Sequence, residues 1–374
     1  ALLAAGDVDV SIDPVGLHFQ FTLHGVIPAP RTILQGLRKL EPATWQRIDA
    51  NGETSHGRDW QLDATRPAQS LTERDWVDGT RQRLQEAIRR RNEVADVPVG
   101  VLLSGGLDSS LLVAMLAEHG MQNLHTFSVG FEDQPEEKGS EFEYSDLVVD
   151  RYQPTHHKFL VPNDEVLKRL PEAVDNMAEP MFGQDAVAFY LLAEQVSKEI
   201  KVVQSGQGAD EVFGGYFWYS RMLKEKEGSR VDRFRKHYFD RDHPEYLRMF
   251  NSPWHTGDVT GDYVSDALNG ADADTFLDQV LRLDVTTLIV DDPVKRVDNM
   301  TMAWGLEARV PFLDQDLIEL AATMPPSMKL SHGGKYVLKK ISRGLLPDKV
   351  IDRSKAYFPM PALKYVRGDF LEFM

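Results

Sequence analysis

The sequence predicts an α/β fold: a doubly wound parallel sheet followed by a helical C-terminal part. Three observations carry that expectation. Apolar strand-like runs alternate with helical stretches across residues 97–205, the rhythm of a parallel sheet whose crossovers cover both faces. Two of those runs end in glycine-rich turns that carry carboxylates, SGGLDSS at 104–110 and SGQGADE at 205–211. Beyond Thr275 the pattern is mainly helical, with no internal repeat.

Residues 1–70 are rich in Pro, Asp and Thr, with short strand-like pieces such as HFQFTLHG, and read as a connecting segment ending in a hairpin at Asn51-Gly52. His18, His24 and His56 lie in this segment without the spacing of metal ligands, and read as packed or exposed histidines. Thr72 to Asn92 reads as a helix, with Thr72 as cap, Asp75 three residues on, and Trp76, Leu84 and Ile88 as an apolar stripe. Arg89-Arg90-Arg91 suits the C-terminal end of that helix.

Val97 to Leu103 then reads as a buried strand. A tight turn follows, and an apolar helix runs to about His119 and stops at Gly120. Strand, glycine turn and helix in succession bring backbone N–H groups and a helix N-terminus to bear on an anion. Gly105 and Gly106 let a phosphate approach closely, and Ser104, Ser109 and Ser110 add hydroxyl donors. The turn lacks the lysine of GxxxxGK[ST] and is not GxGxxG.

Leu124–Phe131, His156–Val161 and Ile200–Ser205 read as further strands, and Val187–Lys198 as a helix. Neighbours on a strand face opposite ways, so His156 and His157 cannot easily share one ion. Residues 219–275 are mixed and charged, and read as an insertion that packs helices on one side.

Composition narrows the function. The net charge is −16, which disfavours broad nucleic-acid binding. There is no cysteine, which excludes disulfides, cysteine-ligated metals and thiol nucleophiles. No run approaches the length of a membrane span, and a cytoplasmic setting fits. The opening ALLAAGDVDV has neither an initiator Met nor a basic n-region, which suggests a start partway into a longer chain.

Ligands of doubly wound sheets sit at the carboxyl ends of the strands, where this topology puts both Asp108 and Asp210. Alone, Asp210 reads as a helix cap; with Asp108 it makes the donor set that Mg²⁺ takes beside a triphosphate. In LEARVPFLD, Glu307 and Arg309 are expected to flank a helix end before Pro311, where an ion pair joining helices to sheet is an equal reading. In DRSKAYFPMP, Lys355 could close over phosphates, but chemistry alone does not prefer it to Lys335 in HGGKYVLKK.

SGGxDSS resembles the pyrophosphate loop of adenylating enzymes, which split ATP between its α and β phosphates. SGGLDSS, SVGF, SGQGADEVFGGY, LEARVPFLD and DRSKAYF, in that order, are similar to the synthetase domain of the asparagine synthetase family, from about residue 25 onward. The resemblance implies a sheet of the adenine nucleotide α-hydrolase-like (pyrophosphate-loop ATPase) type. It implies a synthetase domain over 71–374, preceded by a linker at 1–70 that follows a glutaminase domain. It places the adenosine of ATP near Leu102, Val129, Ser205 and Gly206, and the pyrophosphate at Ser104, Gly105, Gly106, Asp108 and Ser109. It puts Mg²⁺ on Asp108 and Asp210, favours Lys355 as the catalytic lysine, and aligns Glu307 with a family glutamate.

The activity implied is ATP-dependent amide synthesis. A carboxylate acceptor is adenylated and then attacked by ammonia, with AMP and pyrophosphate released. Gln207 departs from the family's SGEG or SGDG, which bears on acceptor recognition. The family's glutaminase uses a cysteine that is not present in this sequence, so ammonia is expected from a domain elsewhere on the full-length chain, from a separate chain, or from solution. A homodimer is also compatible. VIPAPRTIL and KAYFPMPALKYVRGDFL are similar to the amidotransferases linked to N-acetylglutaminylglutamine amide, which makes that dipeptide the expected acceptor and aspartate the alternative. The rivals are another pyrophosphate-loop enzyme, such as a tRNA-modifying ligase, and a non-catalytic nucleotide-binding scaffold. The absence of cysteine and the acidic charge oppose the first, and intact Asp108, Asp210 and Lys355 oppose the second.

Overall fold

Two sheets organise the computed structural model, which describes residues 2–68, 71–133, 138–180, 185–353, 368 and 371–372. The smaller is an antiparallel hairpin of β1 (Thr44–Ile48) and β2 (Thr54–Arg58), closed around Asn51-Gly52 with Ile48 opposite Thr54. The larger has five strands: β3 (Val99–Leu102), β4 (His125–Phe131), β5 (Thr155–Val161), β6 (Val202–Gln204) and β7 (Glu307–Arg309). Their order is β5-β4-β3-β6-β7 and every pairing is parallel.

The chain builds outward from β3 through β4 to β5, then returns to lay β6 on the other side of β3. The reversal opens a crevice at the carboxyl ends of β3 and β6, where such sheets bind ligands. All four residues of β3 are buried, so the strand is apolar throughout instead of alternating. The helix Leu107–Glu118 is buried on nearly every side for the same reason. Across the sheet, Leu192 and Val196 of the helix Asp185–Val196 pack with Leu102, Phe127 and Val203.

The helix Glu73–Glu93 begins at Thr72, where Thr72 and Asp75 form a reciprocal capping box. Trp76, Leu84 and Ile88 face the main core beside Leu111, Leu112 and Leu317. His156 and His157 do face opposite ways: His156 Nδ1 lies 2.8 Å from Thr126 Oγ1, and His157 Nε2 lies 3.1 Å from His125 Nδ1.

Two elements differ from the sequence reading. The piece HFQFT belongs to a helix, Pro14–Thr22, and not to a strand. Asp13 caps it by accepting from the Val15 N–H, and Pro14 occupies the first turn. Leu17, His18, Phe19, Gln20 and Thr22 are all buried, so no one-sided stripe marks it as helical. Phe19, Leu23, Val26 and Ile27 share a second core with Phe234, Val264, Leu268 and Leu281. The other difference is β7. Glu307 and Arg309 do not flank a helix end; they lie on a short strand parallel to β6, with Glu307 opposite Val202 and Arg309 opposite Gln204. Their ion pair is present at 2.7 Å, but the Glu307 side chain is about half exposed. None of the helices among the described residues is long and apolar enough to cross a membrane.

Candidate active site

Ser104 to Ser109 leave the end of β3 and turn directly into the helix Leu107–Glu118. Gly105 has φ +76°, and a Cβ there would stand 2.6 Å from the Ser145 nitrogen, so the position demands glycine. Hydroxyls brace the turn from inside. Ser109 Oγ accepts from the Ser104 N–H at 3.2 Å and lies 3.1 Å from Ser104 Oγ, and Ser104 Oγ accepts from the Gly106 N–H at 3.3 Å. Gly106 is the N-cap and has no side chain to bond the first-turn N–H groups, which keeps that helix end suited to an anion.

The second turn follows β6 and comes up against the first. A Cβ on Gly206 would lie 3.0 Å from Asp108 Cβ and 3.1 Å from the Ser109 nitrogen. Bare backbone at Gly206 is what allows the two turns to touch. Ser205 is buried and donates its N–H to the Arg309 carbonyl at 2.8 Å, and Gln207 is half-buried beside it. Asp210 sits in the first turn of the short helix Ala209–Phe213.

The two aspartates meet at a lysine. Lys335 Nζ is 2.6 Å from Asp108 Oδ2 and 2.7 Å from Asp210 Oδ1. Lys335 has φ +54° at the start of the helix Tyr336–Ser342, and its N–H bonds the Phe213 carbonyl at 3.2 Å, which ties the HGGK turn to the second glycine turn. Burial alone would push this ammonium toward its neutral form. The charges of Asp108 and Asp210 outweigh burial and hold its pKa above the ordinary lysine value. Next to Asp210, Tyr216 donates to Glu211 Oε1 at 2.8 Å. Burial and the Glu211 charge push that phenol well above its usual pKa, so it remains a donor.

The remaining expected residues fall unevenly. Leu102 ends β3 and packs with half-buried Val129 of β4, giving an apolar wall near the carboxyl edge. Glu307 opens β7 opposite Val202 of β6, and its carboxylate pairs at 2.7 Å with Arg309, whose carbonyl accepts the Ser205 N–H of the second glycine turn. Lys355 lies outside the described residues. Two residues earlier, Arg353 reaches the first loop, with Nη1 3.3 Å from the Gly105 carbonyl and Nη2 2.5 Å from Glu141 Oε1, over the Tyr144 ring. Burial raises the Glu141 pKa, and Arg353 opposes that rise. Sequence reasoning set Lys335 aside and did not single out Arg353. The available signals were the paired glycines before Lys335 and the place of Arg353 inside DRSKAYF.

Two carboxylates that converge on one positive centre are a fitting donor set for Mg²⁺, which takes one or two carboxylates with phosphate oxygens and water. Backbone N–H groups, hydroxyls, a lysine and an arginine around the same loops suit a polyphosphate.

Comparison with known proteins gives the same direction. The family profile described as asparagine synthase matches residues 79–374. Asparagine synthetase [glutamine-hydrolyzing] 1 of Bacillus subtilis is 28% identical over 404 residues, covering 98% of this chain and 62% of its own length. Putative asparagine synthetase [glutamine-hydrolyzing] 2 of Methanocaldococcus jannaschii is 31% identical over 246 residues, covering 65% of this chain and 44% of its own length. Among solved structures, the NH3-dependent NAD synthetase of Campylobacter jejuni overlays with a TM-score of 0.29 at 13% identity, over 50% of this chain and 93% of that one, too slight a likeness to weigh. The chain spans about three-fifths of the length of the Bacillus subtilis relative. With the profile covering the sheet from the helix before β3 onward, and the relatives matching on both sides of the two glycine turns, the chain belongs to the asparagine synthase family.

Proposed function

We propose that this chain forms amides at the expense of ATP. In the first step an acceptor carboxylate attacks the α-phosphate of ATP, giving an acyl-adenylate and pyrophosphate. In the second, ammonia attacks the acyl carbon, giving the amide and AMP. Activation is needed because a carboxylate is a poor electrophile at neutral pH. The observation that carries the reading is the meeting of Asp108 and Asp210 at one ammonium, between two touching glycine turns at the carboxyl edge of a parallel sheet.

In this reading Ser104, Gly105, Gly106 and Ser109 bind the departing pyrophosphate through N–H and O–H donors, and Leu102 and Val129 line the adenosine side with Ser205, Gly206 and Gln207. Asp108 and Asp210 would hold Mg²⁺, which when bound neutralises polyphosphate charge. Lys335 keeps the two carboxylates converged and offers an ammonium to the phosphates, and Arg353 supports the Gly105 end of the loop. A preorganised cation of this kind is worth ~10²–10³ in rate. Lys355 is retained as a second cationic group for the α-phosphate on the motif DRSKAYF alone. Glu307 is retained as a second catalytic group on the motif LEARVPFLD alone.

The acceptor is proposed to be N-acetylglutaminylglutamine, with aspartate as the alternative. Gln207 is neutral where an acidic residue would favour an amino-acid ammonium, which supports the N-acylated acceptor. Ammonia is proposed to come from a glutaminase domain on the full-length chain or on a partner chain, in a cytoplasmic setting. The test is a panel of acids incubated with ATP, Mg²⁺ and ammonium. Amide formed from the acetylated dipeptide, with little from aspartate, supports the assignment; the reverse preference assigns aspartate, and turnover of neither overturns the proposal.

A further inference from the structure

Outside the glycine turns, the described residues bring together one other set of groups with metal-ligating chemistry: His18, His243 and Asp258, one ligand atom from each lying within 4.8 Å of the others. They come from three elements that sequence spacing does not connect. His18 is in the helix Pro14–Thr22, His243 opens the helix His243–Met249, and Asp258 is the N-cap of the helix Val259–Leu268.

The hydrogen bonds around His18 fix which ring nitrogen is available. Thr22 Oγ1 donates to the His18 carbonyl at 2.8 Å. A hydroxyl has a single proton, so at its 2.7 Å contact with Thr260 Oγ1 Thr22 accepts and Thr260 donates. Thr260 Oγ1 must then accept at its 2.9 Å contact with His18 Nδ1. The ring therefore carries its proton on Nδ1 and keeps a lone pair on Nε2. That lone pair faces His243 Nδ1 at 3.0 Å. A histidine whose second nitrogen is held by a buried hydrogen-bond chain is how proteins orient a metal ligand.

The carboxylate is oriented in a similar way. Asp258 Oδ1 accepts from the Gly261 N–H at 3.0 Å and Oδ2 pairs with Arg235 Nη2 at 2.6 Å. Each oxygen retains a lone-pair site, since an ionised carboxylate offers about four. His18 itself is fully buried and packs against Tyr246, with ring centroids 4.6 Å apart.

We propose that His18 Nε2, His243 Nδ1 and an Asp258 oxygen form a zinc site that clasps the N-terminal segment to the helices of residues 243–268. Two imidazoles and a carboxylate suit Zn²⁺ and disfavour Mg²⁺, which prefers oxygen ligands. Zinc bonds of ~2.0–2.2 Å in a tetrahedral site space the ligand atoms ~3.3–3.5 Å apart, so the two ring nitrogens part slightly from 3.0 Å and the carboxylate oxygen, within 4.8 Å of them, draws in by about 1 Å. His243 then carries its proton on Nε2 in place of Nδ1, and water completes the coordination. The site is distinct from the nucleotide loops and does not depend on the proposed amide synthesis.

The test uses the whole chain, stripped with a chelator and dialysed, then titrated with Co²⁺ and with Zn²⁺. The expected result is stoichiometric binding of one ion per chain, visible as cobalt d–d absorption that Zn²⁺ displaces and Mg²⁺ does not. His243→Gln and Asp258→Asn, at half-exposed positions, should each weaken binding by about 10–100-fold or more, while His156→Gln leaves it unchanged. Thermal unfolding supplies the second readout: Zn²⁺ raises the midpoint of the wild type and not that of His243→Gln. Absence of stoichiometric Co²⁺ or Zn²⁺ binding by the wild type, or equal binding by both variants, overturns the proposal.

Discussion

Replacing Lys335 by Met probes the site through stability, before any catalysis is measured. The lysine side chain is about 10% exposed and its two partners 17% and 16%. The distances of 2.6 and 2.7 Å to the shared ammonium place the two carboxylate oxygens no more than about 5 Å apart. Two like charges at ~5 Å with an effective dielectric of ~20 repel by about 3 kcal/mol. Loss of one partner from a buried ion pair typically costs ~3–5 kcal/mol. Lys335→Met is therefore expected to lower the unfolding free energy by about 3–5 kcal/mol in urea titrations near neutral pH. Adding Asp108→Asn removes the repulsion and should return about 3 kcal/mol of that loss. Millimolar Mg²⁺ should stabilise Lys335→Met more than the wild type, because the cation can then take the place of the ammonium between the two carboxylates. A variant within ~0.5 kcal/mol of the wild type, or a double mutant weaker than the single, would refute the reasoning.

Further outcomes follow from other contacts. Asp108→Asn should reduce acceptor-dependent AMP formation by ~10²–10³ with an unchanged far-ultraviolet dichroism spectrum; normal turnover contradicts the metal assignment. Gly105→Ala combines a strained backbone with a contact of 2.6 Å to the Ser145 nitrogen. It should cost more than the ~1–3 kcal/mol of backbone strain alone and weaken ATP binding, read by nucleotide titration. For His24, burial favours the neutral ring, but the Asp240 hydrogen bond and charge outweigh it, so the folded pKa lies above 6.5. Its contribution is complete below the unfolded pKa and disappears as pH rises through the folded value. The stability advantage of the wild type over His24→Gln should shrink from about pH 6 upward; an advantage that grows with pH contradicts the pairing.

The sheet and its first loop were legible because local signals agreed. Val99 to Leu102 is apolar on both faces, Gly105 admits a positive φ, and Thr72 with Asp75 spells out a capping box. The meeting of the two glycine turns followed from topology alone, since both leave the same ends of parallel strands. What stayed hidden had a weak local signal or none. The helix Pro14–Thr22 is buried all round, and Phe19 and Phe21 imitate strand alternation. β7 has only three residues, and a Glu and an Arg are two of them. Lys335 bonds Asp108 across 227 positions, and the paired glycines before it in HGGKYVLKK are the one local mark it carries. His18 similarly finds His243 across 225 positions.

The central claim is that the two glycine turns hold a nucleotide so that it breaks between its α and β phosphates. The most direct measurement resolves the products formed from ATP in the presence of Mg²⁺, ammonium and the accepted acid. The account predicts AMP and pyrophosphate in equal amounts, with one amide per AMP. Formation of ADP and orthophosphate with the amide would contradict it.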